Sequence, residues 1–520
     1  MVATLASKPQ RIPAAVYLLG LIAGLQLTDP AIANDAIVKA GRELHFSPSQ
    51  LTLGASISTL ALAATVLATA TAADRLGRKP VLIASLMVAI IGDVIVAAAP
   101  SPEIFLLGRA LTGIGLGSMF AATFAYVRFV SRSSQVAAGL GIWAAVQVGV
   151  LIVFSLVGGV LANHSWRLAM LLIPALALVF VLILVVLPRA LAPMPRSGEG
   201  KVDYLGLFLI GASTVLVIYG ISQASGSLTS PSFWGLVLLG LVGYGLFAVV
   251  ESRSSHPAFP IKLFGSAVFV AAVVAGVAWN FGQAIAQFTT SNFFQYVKLE
   301  STFTTTLLQE PFFVAMLVGS ILAGRFISKR PDGLRLTVGL GFSVAVVGFV
   351  LLALMKQSWP SWVLIPGLTL IAVGLAAVSV PQSAMFTEAA PKEFFGPVTS
   401  FRTTVGQVGY GVGTALATVL VQTFGKADFA PDLYRAGLAS PAQVGMGVDA
   451  VHVYLADHRE PTTESGRQAL AAAAKAYTGG FDQTALVTAG LLAVLGVITL
   501  LLMREKKSPT EGSASRGRRS

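Results

Sequence analysis

The sequence predicts an all-α polytopic membrane protein with fourteen transmembrane helices. Three observations predict it. Only 11% of the 520 residues are charged, whereas a soluble globular chain carries about 25%. Hydrophobic residues make up 55%, and they fall into runs long enough to cross a hydrocarbon layer. The 35 Lys and Arg residues gather in alternate connections, so that the short loops of one face hold only Lys39, Arg42, Arg167, Lys298 and Lys356.

Charge, Pro or Gly sets off each run. The first, 14–38, stops at Lys39, and 51–73 stops at the charged turn that begins with Asp74. Then 80–99 lies between Pro80 and Pro100, and 103–127 ends before Arg128. Spans 136–162 and 168–188 flank the Trp166-Arg167 turn. Spans 203–224 and 231–251 are separated by a Gly/Ser-rich link, and the second ends in Glu251 and Arg253. Spans 266–289 and 303–325 flank Lys298 and Glu300. Lys356 and Pro360 divide 334–355 from 362–387, and Pro391 and Pro397 precede 398–424. The last run, 482–503, closes on Arg504 to Lys507. The first run contains Asp29 and Asp35 and lacks a cleavage site, so it reads as a span and not as a removed signal.

The Lys/Arg bias places both termini in the cytoplasm, and the Ala/Val-rich, cysteine-free composition is compatible with a cell inner membrane. The net charge of +12 belongs to those inner loops and implies no nucleic-acid partner. The basic tail with Arg516, Arg518 and Arg519 is a topology anchor that can touch anionic lipid. The polar stretch 425–481 is external, and within it Ser465 to Tyr477 reads as an Ala-rich helix, either a lid or docking hairpin or a solvated spacer. Cysteine is absent, so thiolate chemistry and disulfides are excluded. The five His residues fall in loops and form no H-E-x-x-H pair, and no G-x-x-x-x-G-K-[ST] loop exists. No metal, cofactor or ATP-driven step is expected, and the chain is expected not to be an enzyme.

The turn after the second span reads ATAADRLGRKP. Asp74, Arg75, Gly77, Arg78 and Lys79 make a tight charged turn in which Gly77 supplies backbone freedom. Such a cluster latches helices on one face and releases them when bundles rock. A degraded copy, Gly324 to Gly333 in GRFISKRPDG, follows the tenth span, as an internal repeat would place it.

These residues resemble the signature loop G-x-x-x-D-R-x-G-R-K of the major facilitator superfamily, with Ala70 in place of its first Gly. Arg109-x-x-x-Gly113 resembles the superfamily's motif in the fourth span. Asp29 and Asn34 in TDPAIANDAI are similar to the first-span signature of its fourteen-span drug:proton antiporters. Gly158, Gly159, Leu161, Trp166 and Arg167, then DYLG at Asp203, ESRSSHPAFPIKLF and QVGYGVG at Gln407, resemble further landmarks of that family. One departure stands out. The antiporters' Gly-Pro pair in the fifth span is replaced by Phe154-Ser155. The resemblance implies a major facilitator fold: a six-helix bundle over 1–200, two extra linker helices over 201–252, and a second six-helix bundle over 253–505 that includes the external loop 425–481. Residues 506–520 form the tail.

Ionisable groups inside spans are costly and mark function by default. Asp29, Asp93, Arg109 and Glu310 all lie within spans, at depths that allow one shared site. Arg109 compensates one acid, which leaves at least one carboxyl to exchange protons. Asp29 and Arg109 are the leading pair, and Pro30 is expected to break the helix beside them and admit water. Asp35 is expected near the outer end, in water. Uncharged polar groups beside aromatics nominate a substrate cavity: Asn34, Trp143, Gln147, Trp279, Asn280, Gln283 and Gln287.

The expected function is proton-coupled export of small lipophilic or amphipathic compounds by alternating access, as a monomer in the bilayer. Two other readings stay open: transport of a dedicated metabolite or lipid with different or no proton coupling, and a non-transporting membrane sensor or scaffold.

Overall fold

The computed structural model describes residues 13–131, 136–191, 203–223, 230–254, 257, 259–330, 332–389, 395–435 and 463–504. The tail 506–520 and the tip of the long polar stretch lie outside the described residues. Among the described residues there is no strand, and 14 helices are long and apolar enough to cross a membrane. The chain is a multi-pass membrane protein.

The helices are α1 (Ala14–Glu43), α2 (Pro48–Leu76), α3 (Arg78–Ala98), α4 (Pro102–Val130) and α5 (Val136–His164). Next come α6 (Trp166–Met170 continued by Leu172–Val186), α7 (Tyr204–Gln223), α8 (Pro231–Arg253) and α9 (Ala267–Tyr296). The last are α10 (Thr302–Ser328), α11 (Gly333–Ala353), α12 (Ile365–Ala389), α13 (Phe395–Arg435) and α14 (Glu464–Leu502). Several starts are fixed by hydroxyl caps that satisfy free N–H groups. Ser47 and Gln50 form a reciprocal capping box on α2, and Ser266 and Ser301 cap α9 and α10.

One hydrophobic core joins α1 to α6. A second joins α9 to α14. Ile37 and Ala55, toward the ends of α1 and α2 remote from Gly77, and Leu151 at the middle of α5 pack into that second core. The two halves are therefore closed against each other on the face opposite the Gly77 turn. Helix α7 lies against both halves, with Gly211 on Ala64 of α2 and Ile218 on Gly411 of α13. Helix α8 packs against α7, where the Thr214 and Tyr244 hydroxyls meet at 2.8 Å. Leu238, Leu239, Leu241, Val242 and Leu246 of α8 are exposed, the surface a lipid-facing helix presents.

Helix α1 runs unbroken through Pro30 to Glu43, so the predicted break beside Asp29 is absent. Pro30 removes one backbone donor, but the flanking turns hold. The Ala-rich segment is helical as expected, and it continues into the last span, since α14 runs unbroken from Glu464 to Leu502. Helices α13 and α14 have 41 and 39 residues. At about 1.5 Å per residue each is roughly 60 Å long, against about 40–45 Å for a bilayer with its headgroups. The described flanks of the long stretch thus stand off the membrane as helix extensions.

Candidate functional site

Helix α4 carries the centre of the first half. Gly113 lets α4 sit directly on α2, since a Cβ there would fall 2.0 Å from Ser58 O. The same contact brings Ser58 Oγ to 3.4 Å from Asp29 Oδ2. One turn before Gly113, Arg109 Nη1 donates to Asp29 Oδ1 at 2.7 Å and stands 3.7 Å from Asp93 Oδ1. All three side chains are no more than 2% exposed. Thr112 donates to Asp93 at 2.7 Å. One guanidinium therefore serves two carboxylates in low dielectric. The balance is one negative charge over, which a single proton neutralises.

Glu310 does not join this centre. It lies in the seam between the halves, where its Oε1 is 2.5 Å from Ser155 Oγ of α5. The expected four-residue cluster is thus a triad with a separate acid. Beside Glu310 the structure places Asp35, which is buried and not in water. Asp35 accepts from Ser291 of α9 at 2.8 Å and from Thr306 of α10 at 2.6 Å. The signal that would have found it is the length of α1, which continues for two turns past Asp35.

The cavity candidates separate too. Asn34 Nδ2 donates to Tyr410 OH at 3.4 Å, and Tyr410 donates to Gln287 Oε1 at 3.1 Å. Gln309 Nε2 donates to Gln287 O at 3.0 Å. This row links α1, α13, α9 and α10. The sequence reading named Asn34 and Gln287 but missed Tyr410. Asn34 Oδ1 and Gln287 Nε2 are buried and unpartnered. Asn280 bonds back to Gly276 O at 2.8 Å, and Trp279 and Gln283 are half-buried on α9. Trp143 sits elsewhere, edge-on to Phe120 and Phe124 at 5.1 and 5.6 Å in the first core. Gln147 donates to Trp143 O at 3.3 Å. Both pack in the first half, away from the Asn34–Tyr410–Gln287 row, and Trp143 Nε1 is buried without a partner.

On one face, Gly77 links α2 to α3 with φ +100, a left-handed geometry. Asp74 pairs with Arg78 across it, Arg75 is half-buried, and Lys79 donates to Leu191 O at 3.5 Å beyond α6. On the opposite face, Arg167 donates to Ala97 O at 2.8 Å and Ala99 O at 2.9 Å and pairs with Glu43 at 2.8 Å. Trp166 Nε1 donates to the same Glu43 at 2.6 Å. The Trp-Arg turn thus ties together the ends of α1, α3 and α6.

Two helical halves, a buried charge centre and a seam of polar contacts define the class: a membrane carrier. The Major Facilitator Superfamily profile matches residues 17–414, and the chain belongs to that superfamily. It is similar to the multidrug efflux pump LfrA of Mycolicibacterium smegmatis, with 24% identity over 94% of this chain and 96% of that protein. It is also similar to the multidrug resistance protein Stp of Mycobacterium tuberculosis, with 25% identity over 78% and 75% of the two chains. Among solved structures, a bacterial homologue of the human lysosomal transporter Spinster, inward-facing and unoccupied, shares the fold. Its TM-score is 0.64 at 15% identity, over 94% of this chain and 96% of that one.

Proposed function

We propose that this protein exports small lipophilic or amphipathic compounds in exchange for protons. The observation that carries the proposal is the Asp29–Arg109–Asp93 centre, buried and one positive charge short. A carrier that alternates its access can load a proton there from one side and release it to the other. Helices α1–α6 and α9–α14 act as two rocking bundles with α7 and α8 between them, and the Asp74–Lys79 turn latches the first bundle. The Gly77 face and both termini are cytoplasmic, the membrane is the cell inner membrane, and the monomer is the working unit. The relatives named for multidrug efflux and resistance support the substrate class.

The test is uptake of a lipophilic cationic dye into inside-out vesicles with an imposed pH gradient. Accumulation that collapses with the gradient supports the proposal, and gradient-independent equilibration overturns it. A second reading, a dedicated metabolite or lipid substrate, is favoured by the Asn34–Tyr410–Gln287 row, whose fixed amides suit one shaped polar group. A substrate screen in the same vesicles separates the two: several unrelated dyes, or one compound class.

A further inference from the structure

The seam carries two carboxylates that the Arg109 centre does not use, and their contacts are reciprocal. Asp35 belongs to the first half and accepts from Ser291 and Thr306 of the second. Glu310 belongs to the second half and meets Ser155 of the first. Thr306 and Glu310 are one turn apart on α10, so both contacts lie on one strip of that helix.

Among the described residues no cation faces the strip; on α11 and α12, which also pack on α10, the charged residues are Arg335 and Glu388, both exposed near helix ends. Helix α5 has no Asp, Glu, Lys or Arg, and His164 at its end is exposed. Helix α9 has none either, and Tyr296 at its end lies under Arg42. On α1, Asp29 is held by Arg109, and Lys39 turns away to Ala162 O and Asn163 O at 2.9 and 3.0 Å. On α10 the other charged residue is Arg325, in the last turn. Tyr410 of α13 is engaged with Asn34 and Gln287. On α2, Asp74 and Arg75 belong to the opposite face.

Counting hydrogens says what the strip holds. Ser155 Oγ is 2.5 Å from Glu310 Oε1 and 2.6 Å from Leu151 O. Its single hydrogen cannot serve both acceptors. A proton on Glu310 resolves this: the carboxyl donates to Ser155 Oγ, and Ser155 donates to Leu151 O. Glu310 Oε2 is buried without a partner, which a neutral carboxyl tolerates far better than a carboxylate does.

We propose that Glu310 and Asp35 form a second proton-binding site, a latch whose protonated form closes the seam on the outer face. It stands where the resembling antiporters carry Gly-Pro and this chain carries Phe154-Ser155. Glu310 takes its proton from the outer water as α5 meets α10, and returns it to that water when the seam parts. Unprotonated, the strip holds two like charges and two competing acceptors, and the halves separate. The Arg109 centre, inside one half, carries the transported proton; the latch, between halves, gates it. This rests on the carrier reading, with the Gly77 face inside.

The chain has no cysteine, so two introduced ones can carry spin labels. His164→Cys and Ser358→Cys place one exposed label on each half, both on the outer face. Pulsed electron resonance on the protein in liposomes then reads the gap. A mildly acidic medium is expected to give mostly the short distance. A mildly alkaline one should shift the ratio toward the long distance by about tenfold. Glu310→Gln, whose amide donates to Ser155 as the acid does, should stay short in both media. Ser155→Ala should lengthen the distance even in acid. A native protein without pH response, a Glu310→Gln protein that opens as the native one does, or a Ser155→Ala protein that stays closed in acid each overturns the latch. Gradient-driven dye uptake by the same liposomes is the independent readout. Uptake without a pH-dependent gap removes the latch and keeps the carrier reading. A pH-dependent gap lost in Glu310→Gln, without uptake, keeps the latch and removes that reading.

Discussion

Arg109 bonds Asp29 at 2.7 Å while standing 3.7 Å from Asp93, so one guanidinium on α4 ties α1 to α3 inside the first half. The two acids are not equivalent. Asp29 has the short contact and a distant hydroxyl at Ser58; Asp93 has the long contact and a close hydroxyl at Thr112. Both acids are thus within reach of the one guanidinium, which lies closer to Asp29.

Asp29→Asn should therefore fold, because Arg109 retains Asp93, but it should lose pH-driven accumulation of substrate. Arg109→Ala strands two buried acids and should cost about 3–5 kcal/mol of stability, seen as reduced yield and a lower Tm in detergent. Vesicle uptake across a series of pH gradients checks the first variant. An unchanged dependence on the gradient would make Asp29 a structural partner only.

Gly113 and Gly117 face the same neighbour but differ in clearance. A Cβ at Gly113 meets Ser58 O at 2.0 Å, and one at Gly117 meets Leu62 O at 3.3 Å. Gly113→Ala should push α4 off α2, cost about 1–3 kcal/mol and loosen the Ser58–Asp29 contact. Gly117→Ala, at 3.3 Å, should cost clearly less. Thermal unfolding of the two variants side by side is the measurement, and equal Tm values would contradict the packing account.

The span count and the charged turn were legible because both rest on local chemistry: runs of apolar residues, and ordered charges around Gly77. What was not legible depended on which neighbour a residue meets. The last run was expected to begin at 482, yet α14 already runs through Gly480, whose missing side chain lets it approach α13. A Cβ there would lie 2.4 Å from Val421 O. Asp35 looked exposed because Lys39 and Arg42 were counted as loop residues, whereas they occupy the last turns of α1. Trp143 and Gln147 had the composition of a cavity wall, and only Phe120 and Phe124 on α4 decide that they pack instead. Arg109 and Asp29 were legible as a pair, because a buried cation needs an acid; that Glu310 answers to Ser155 was not, since it requires the register of α5 against α10.

The Gly77 turn should be sensitive in two separable ways. Gly77→Ala places a Cβ at φ +100 and should cost about 1–2 kcal/mol through backbone strain, lowering Tm. Asp74→Asn keeps the backbone and removes the charge that Arg78 pairs with. The pair is 14% and 26% exposed and at a turn open to one face, where such a pair adds about 1 kcal/mol, so Tm should move little while the transport rate falls. Full transport by Asp74→Asn at normal yield would show that the turn anchors topology and has no part in switching.

Tyr410 tests whether the row across the seam handles substrate. Its hydroxyl accepts from Asn34 and donates to Gln287, joining the two halves through one oxygen. The other ends of both amides, Asn34 Oδ1 and Gln287 Nε2, have no partner. Buried amides at half capacity are costly in a resting protein and useful in one that offers a donor and an acceptor to a ligand. Tyr410→Phe keeps the ring and removes the bridge. Gln287 loses its donor, at about 1–3 kcal/mol for an unsatisfied buried group, and the two amides lose their fixed orientation. The expected result is a raised KM for polar-headed substrates with the maximal rate and the pH-gradient dependence little changed, because the Arg109 centre is untouched. Initial-rate uptake over substrate concentration and over pH separates these quantities. A variant with unchanged KM but an altered gradient dependence would move Tyr410 from substrate handling to proton coupling.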